Sequence, residues 1–160
     1  MLSIPENPVI IPGLTPTVGA GAAINATPIS LKYVHKLWAV VGVNTASTSA
    51  AVAIVPQTDA LVAFGSGAVL TSAVPIWACV DIATTPNYVE ATAAVNYTTV
   101  ADALAKSIIF LIDPALLNAG EDCFRIRFTQ VDASDLVSVT YIIEPRYAAT
   151  VANQVSFITD

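Results

Sequence analysis

The sequence predicts a mainly β fold: an antiparallel β-sandwich or jelly-roll with an extended N-terminal arm and at most one short helix. Three observations predict it. Val, Ile and Thr recur in short runs, the residue types that fit a pleated, half-buried surface. Clusters of Gly, Pro, Asn, Asp and Ser break those runs at short intervals, as turns do in a sandwich. Residues 123–131 set Phe124, Ile126 and Phe128 against Arg125, Arg127 and Thr129, the two-residue period of a strand with one face in the core.

Taken in order, residues 1–30 read as a separate extended arm and residues 31–160 as one sandwich domain. The arm holds Pro5, Pro8, Pro12, Pro16 and Pro28, with Glu6 as its only charge. Each proline removes a backbone donor and pushes its predecessor into extended geometry, so no helix forms there. Its apolar residues suit either an irregular first strand of the same domain or an arm that reaches onto a partner. The second placement is preferred, with Ile4, Val9, Ile10, Ile11 and Leu14 as the contact residues.

Strands are expected at 31–43, 50–56, 61–64, 68–74, 76–82 and 88–98. Turns are expected at Gln57–Ala60, at Gly65-Ser66-Gly67 and at Thr84–Asn87. Residues 107–112 (SIIFLI) are apolar on both faces, which marks a central strand. Residues 123–131 and 136–144 read as partners joined by a hairpin loop at Asp132–Asp135. The one helical candidate starts at Thr99-Val-Ala-Asp102, a capping-box-like step whose Asp102 stands four residues before Lys106. Residues 114–120 allow at most one short turn of helix, closed by Gly120.

Composition narrows the function. The 160 residues are 55% hydrophobic and 11% charged, against about 25% charged in an average soluble chain. Such a chain is not disordered. Six Lys and Arg against twelve Asp and Glu, a net charge of -6, leave no basic footprint for nucleic acid. Residues 37–58 and 60–80 carry no charge and each reaches the length of a bilayer span, about 20 residues. Gly65, Gly67, Pro75 and the Asn44–Ser49 run interrupt them, however, and Asp59 and Asp81 stand where Lys or Arg anchors belong. Both stretches are therefore read as strands, with no membrane partner.

Catalytic constellations are missing from the sequence. His35 is the only histidine, so His-based zinc sites and dyads fail on count. By strand parity it shares a face with Leu37, Ala39, Val41 and Val43, which predicts a partly buried, structural residue. Gly19-Ala-Gly21 lacks the strand–helix context of a phosphate loop. Glu121-Asp122 and Asp132/Asp135 flank one strand and do not meet; Asp81 and Glu90 are parted by a turn. No catalytic residue, cofactor, metal site or small-molecule substrate is expected. Cys79 and Cys123 fall inside strands, and the absence of a basic leader segment favours two reduced thiols.

What remains is apolar surplus. A sandwich has one interior layer, yet Trp38 and Val40 point opposite to Leu37 and Val41, so both faces of that strand are apolar. Burial against other copies or another protein accounts for such a surplus. Tyr88, Tyr97, Tyr141 and Tyr147 are candidate interface anchors.

Residues 120–147, GEDCFRIRFTQVDASDLVSVTYIIEPRY, resemble the closing hairpin of many tailed-phage virion proteins: a Gly-acid step, a strand alternating aromatic and Arg, an Asp-rich turn, and a last strand ending in Glu144-Pro-Arg146-Tyr147. With the preceding IIFLIDPALLNAG and the Pro-rich arm, the chain is similar to small capsid decoration, or cement, proteins. That resemblance implies a non-enzymatic virion structural protein that bridges neighbouring capsid subunits. It also implies a homo-oligomer, commonly a trimer, whose partner is the major capsid protein, placed on the capsid exterior after assembly in the host cytoplasm. A ligand- or glycan-binding β-sandwich module, receptor-binding or lectin-like, is the alternative.

Overall fold

A computed structural model describes residues 8–46, 51–65 and 67–146, and places twelve strands among them in two sheets. Across the first sheet the order is β1 (Val9–Val18), β12 (Leu136–Pro145), β4 (Val34–Asn44), β10 (Ala105–Ile112), β7 (Val74–Cys79) and β8 (Val89–Ala94). Across the second it is β2 (Ala22–Asn25), β11 (Cys123–Val131), β5 (Ala53–Asp59) and β6 (Ala68–Val69). Two short strands extend its flanks: β3 (Ile29–Ser30) beside β11 and β9 (Tyr97–Thr98) beside β5. Neighbouring strands are antiparallel and the pairing is nested, β1 with β12, β2 with β11, β4 with β10, β5 with β6. First-with-last nesting over two sheets is the jelly-roll wrap. The β7–β8 pair is an addition that widens the first sheet beyond β10.

The core lies where the alternating faces meet. Leu37, Ala39, Val41 and Val43 of β4, Ile108 and Phe110 of β10, and Val137, Val139 and Ile143 of β12 face Phe124, Ile126 and Phe128 of β11. Each fully buried Phe, Ile or Leu contributes about 1.5–3 kcal/mol. That outweighs local turn preferences of a few tenths to one kcal/mol and decides several elements against their local signals.

The N-terminal segment is extended, but from Val9 onward it lies inside the sandwich. β1 runs along β12 from Val9↔Ile143 to Val18↔Leu136, while β2 and β3 run along β11. Residue 30 is therefore no boundary. Val9, Ile11 and Leu14 pack against the core of their own domain, which is why the segment stays home. Pro12 and Pro16 are tolerated because β1 is an edge strand, and the register shifts on either side of Leu14 absorb them.

Other expectations are corrected as well. Residues 123–131 and 136–144 are not a hairpin: β11 and β12 lie in different sheets, and Asp132–Asp135 carries the chain between them. Gly19 and Gly21, whose G-x-G spacing carries no phosphate site, donate their N–H groups to the Asp135 and Val131 carbonyls of that crossover at 2.9 and 2.8 Å. A Cβ at Gly19 would stand 2.1 Å from the Asp132 oxygen, so only glycine fits. The expected turn at Gln57–Ala60 is strand through Asp59. Pro56 sits inside it opposite Ile126, whose carbonyl and N–H are engaged by Ala26 and Tyr141 instead. On its other side the Pro56 carbonyl accepts the Leu70 N–H at 3.1 Å just beyond β6, and the proline returns no N–H, which ends that short pairing.

Residues 61–64 form a turn rather than a strand, with the Phe64 N–H on the Leu61 carbonyl at 3.0 Å. Residues 88–98 divide into β8 and β9 in opposite sheets. The helix at Thr99 is absent because its hydroxyl is engaged elsewhere: it accepts the Val52 N–H at 3.0 Å, and β10 begins at Ala105. His35 is exposed. Pro145 stands opposite Val34 and Glu144 opposite Lys36, a bulge that turns Val34 inward and His35 out. Residues 107–112 are central, between β4 and β7. A single 3-10 turn, Pro114–Leu116, is the only helix among the described residues. None there is long and apolar enough to cross a membrane.

One contact ties the two sheets at mid-core. The Tyr141 ring of β12 is fully buried, its hydroxyl accepts the Ile126 N–H of β11 at 3.3 Å, and Phe124 meets it edge-on at 6.2 Å between centroids. Burial holds the phenol pKa well above its usual range. Gly13 makes room for the ring, since a Cβ there would lie 2.4 Å from Tyr141 Cε2. Tyr141→Phe keeps the packing and orphans a buried N–H. It should lower stability by about 1–3 kcal/mol, read as a lower urea midpoint with an unchanged slope.

Candidate functional site

The acid–base candidates do not converge. Among the described residues no group of three or more His, Cys, Asp and Glu is placed to hold a metal ion. Glu121 receives the Thr58 hydroxyl, and Asp113 caps the 3-10 turn by accepting the Ala115 N–H. Cys79 and Cys123 are buried thiols, not joined to each other. Cys79 donates to the Thr85 carbonyl at 3.5 Å and Cys123 to the Asp122 carboxylate at 3.3 Å.

The most polar buried cluster plugs one end of the sandwich. Lys106 shares its strand face with Ile108 and Phe110, so its side chain points inward and is 1% exposed. Its ammonium pairs with the Asp102 carboxylate and donates to Thr45 Oγ1 at 3.1 Å and to the Leu104 carbonyl at 3.2 Å. Thr45 donates to the Asp102 carbonyl. Asp135, also fully buried, accepts the Ala46 N–H at 3.0 Å. These groups hold the loops at 44–46 and 99–104 against the core, which is a structural task.

The segment chosen from sequence as a partner contact is mostly turned inward. Val9, Ile11 and Leu14 are half-buried against the core and only Ile10 is exposed, at 64%. Ile4 lies outside the described residues, as does Tyr147. Tyr141 and Tyr97 pack in or on the core, which leaves Tyr88 as the exposed tyrosine of that set.

The exposed apolar surface concentrates instead on the link between β7 and β8. Val80, Ile82, Tyr88 and Val89 are exposed at 49%, 43%, 47% and 68%. A stiff backbone holds them out. The Asp81 carboxylate accepts the Ala83 and Thr84 N–H groups at 3.0 and 3.2 Å and the Thr84 hydroxyl. The Thr85 N–H returns to the Asp81 carbonyl at 3.1 Å, Ile82 donates to the Ala105 carbonyl, and the Tyr88 hydroxyl donates to Ser107 Oγ at 2.8 Å. Reading 76–82 as one strand hid this: the D-x-x-T step at Asp81–Thr84 was the available signal for a capped turn.

A second surface lies on the outer face of the second sheet. Arg125 donates to Gln57 Oε1 at 3.0 Å and its guanidinium stacks 4.1 Å from the Phe64 ring centroid. Desolvation first, and the neighbouring Arg127 charge second, lower the Arg125 pKa from its ordinary value. Phe64 takes a positive φ of 51° to reach this position, a strain of about 1–3 kcal/mol for a non-glycine residue.

Two outcomes check these assignments. Lys106→Met removes the charge-assisted bonds to Thr45 Oγ1 and the Leu104 carbonyl, which keep their bond to each other, while Asp102, 31% exposed, recovers water. The expected loss is about 1–3 kcal/mol, read by urea unfolding. At Asp81 the Thr84 hydroxyl, then the Thr84 N–H, hold the pKa below 3.8. A depressed carboxyl supports the turn above the unfolded-state value and loses that support as pH falls through the folded one. Thr84→Val should move the Asp81 titration up toward 3.8, followed by carboxyl NMR.

Comparison with known proteins adds little to this geometry. No family model matches the sequence, and no curated protein matches it significantly. The chain is similar to the crystal structure of the SPBc2 prophage-derived protein YomS, with a TM-score of 0.48 and 10% sequence identity over 90% of this chain and 98% of that one, a likeness too slight to assign family or function.

Proposed function

We propose that the chain is a non-enzymatic virion structural protein of the capsid decoration type, which stabilises a capsid by bridging neighbouring subunits on its exterior. The observation that carries this reading is the β7–β8 link: a hydrogen-bonded, preorganised turn that displays four large apolar side chains to solvent. Exposed apolar groups on a stiff backbone lose little conformational freedom on docking, so they suit a standing protein–protein contact. The resemblance of residues 120–147 to virion proteins, in sequence pattern although β11 and β12 form no hairpin, supplies the virion setting, and a jelly roll is an architecture on which capsid proteins are built.

The partner is the major capsid protein, together with further copies of this chain. The purified protein, mixed with capsids lacking it and centrifuged, should pellet with them at a fixed stoichiometry and raise the temperature at which they disrupt. A chain that stays in the supernatant at saturating capsid concentration would overturn the assignment. A deletion reaching into residues 9–30 removes strands of the sandwich, because they supply β1 to β3.

A further inference from the structure

Six of the ten large apolar side chains exposed among the described residues lie on two surfaces, the β7–β8 link and the outer face of the second sheet. On the β7–β8 link, Val80, Ile82, Tyr88 and Val89 are accompanied by Asp81 and Glu90, and the cation whose charge reaches Asp81, Lys106, is buried. On the outer face of the second sheet, Leu61 and Val69 are exposed at 60% and 46%. Val69, Gln57 and Arg125 form one row across β6, β5 and β11, since Gln57 is in register with both of the others. Arg127, two residues along the same face, has no ion pair or hydrogen bond to its guanidinium among the described residues. One surface is apolar with carboxylates; the other is apolar with two guanidiniums, and its carboxylate, Asp59 beside Arg125, is buried at 8% exposure.

We propose that the two surfaces meet between copies of this chain, the β7–β8 link of one copy seating on the Arg125/Arg127 face of the next. The proposal rests on the structural-protein reading and names its self-contact. A two-fold contact of the link with itself would set Asp81 and Glu90 against the same carboxylates, and like charges oppose association. Contact between different surfaces sets carboxylate against guanidinium, where Arg presents a fork that suits a carboxylate. Such a head-to-tail contact is heterologous, and it closes into a ring when the rotation between copies permits. Phe64 and Gln57 already hold Arg125 in place, so ordering it adds little to the cost of docking.

Sedimentation equilibrium of the full chain, with no capsid present, tests this. The wild type should have a mass that is a whole multiple of 16.6 kDa. Val89→Asp and Arg127→Glu, both on exposed or half-exposed side chains, should each weaken association at least ~10-fold. Circular dichroism checks that each variant folds, with Ile82→Asp replacing any that does not. The double variant Glu90→Lys/Arg127→Glu should recover association relative to Arg127→Glu alone, and Ile10→Asp, on the opposite edge of the first sheet, should match the wild type. A monomeric wild type, association intact in Val89→Asp and Arg127→Glu, no recovery in the double variant, or dissociation by Ile10→Asp would each overturn the contact. A monomer that still pellets with capsids sinks the ring and leaves the virion reading standing; a ring that ignores capsids does the reverse.

Discussion

The Tyr141 hydroxyl holds the two sheets in one register. β11 needs a partner for the Ile126 N–H because the strand beside it breaks between β2 and β3, around Ala26-Thr27-Pro28. A buried donor left unmatched costs about 1–3 kcal/mol. The acceptor comes across the core from β12, at 3.3 Å. Two further features follow from that. Phe124 takes the edge of the ring, and residue 13 must be glycine for β1 to pass over its face. The Thr27 N–H then closes on the Gly13 carbonyl at 2.7 Å, so the broken strand and the edge strand are fastened around one side chain.

That arrangement explains what could be read from sequence. Alternation placed Phe124, Ile126 and Phe128, and Val137, Val139, Tyr141 and Ile143, on inward faces, and the structure keeps every one of them there. Alternation says nothing about which sheet a strand joins. β11 and β12 follow each other closely and look like a hairpin, yet each has one apolar face, and facing each other across the core buries both. The same blindness split residues 88–98, whose two halves serve different sheets. Pro56 misled because a proline reads as a stop, whereas here it ends only the short pairing beside β6, where its carbonyl still takes the Leu70 N–H, and the pairing with β11 runs on through it. Lys106 misled in the opposite way. Its spacing from Asp102 suggested a helix, and the pair forms without one because the chain bends back before β10.

The exposed apolar surface was legible in amount and not in place. An apolar fraction of 55% predicts apolar side chains beyond one interior layer, and the N-terminal arm reads as their carrier because its prolines oppose regular structure. Docking β1 against β12 gives Val9, Ile11 and Leu14 a core to join, so that share of the surplus is absorbed within the domain. The β7–β8 link was hidden by its own composition: Val80 and Ile82 continue the apolar run of β7, and only the Asp81 hydrogen bonds show that the strand has ended. Residues that read as core become surface when a short polar side chain turns the backbone.

Low charge takes on a more specific meaning in this light. Of the six cations in the chain, Lys106 is buried in the end plug and Arg125 is stacked on Phe64. Lys32, Lys36 and Arg146 lie at the start of β4 or the end of β12, at one end of the first sheet. Arg127 is therefore the cation left uncommitted on the face of the second sheet, and the carboxylates nearest to exposed apolar groups are on the β7–β8 link. In the contact proposed above, the apolar side chains supply the area, and the Arg127 guanidinium against the carboxylates of the link tells one surface from the other, since Asp59, the carboxylate beside Arg125, is buried.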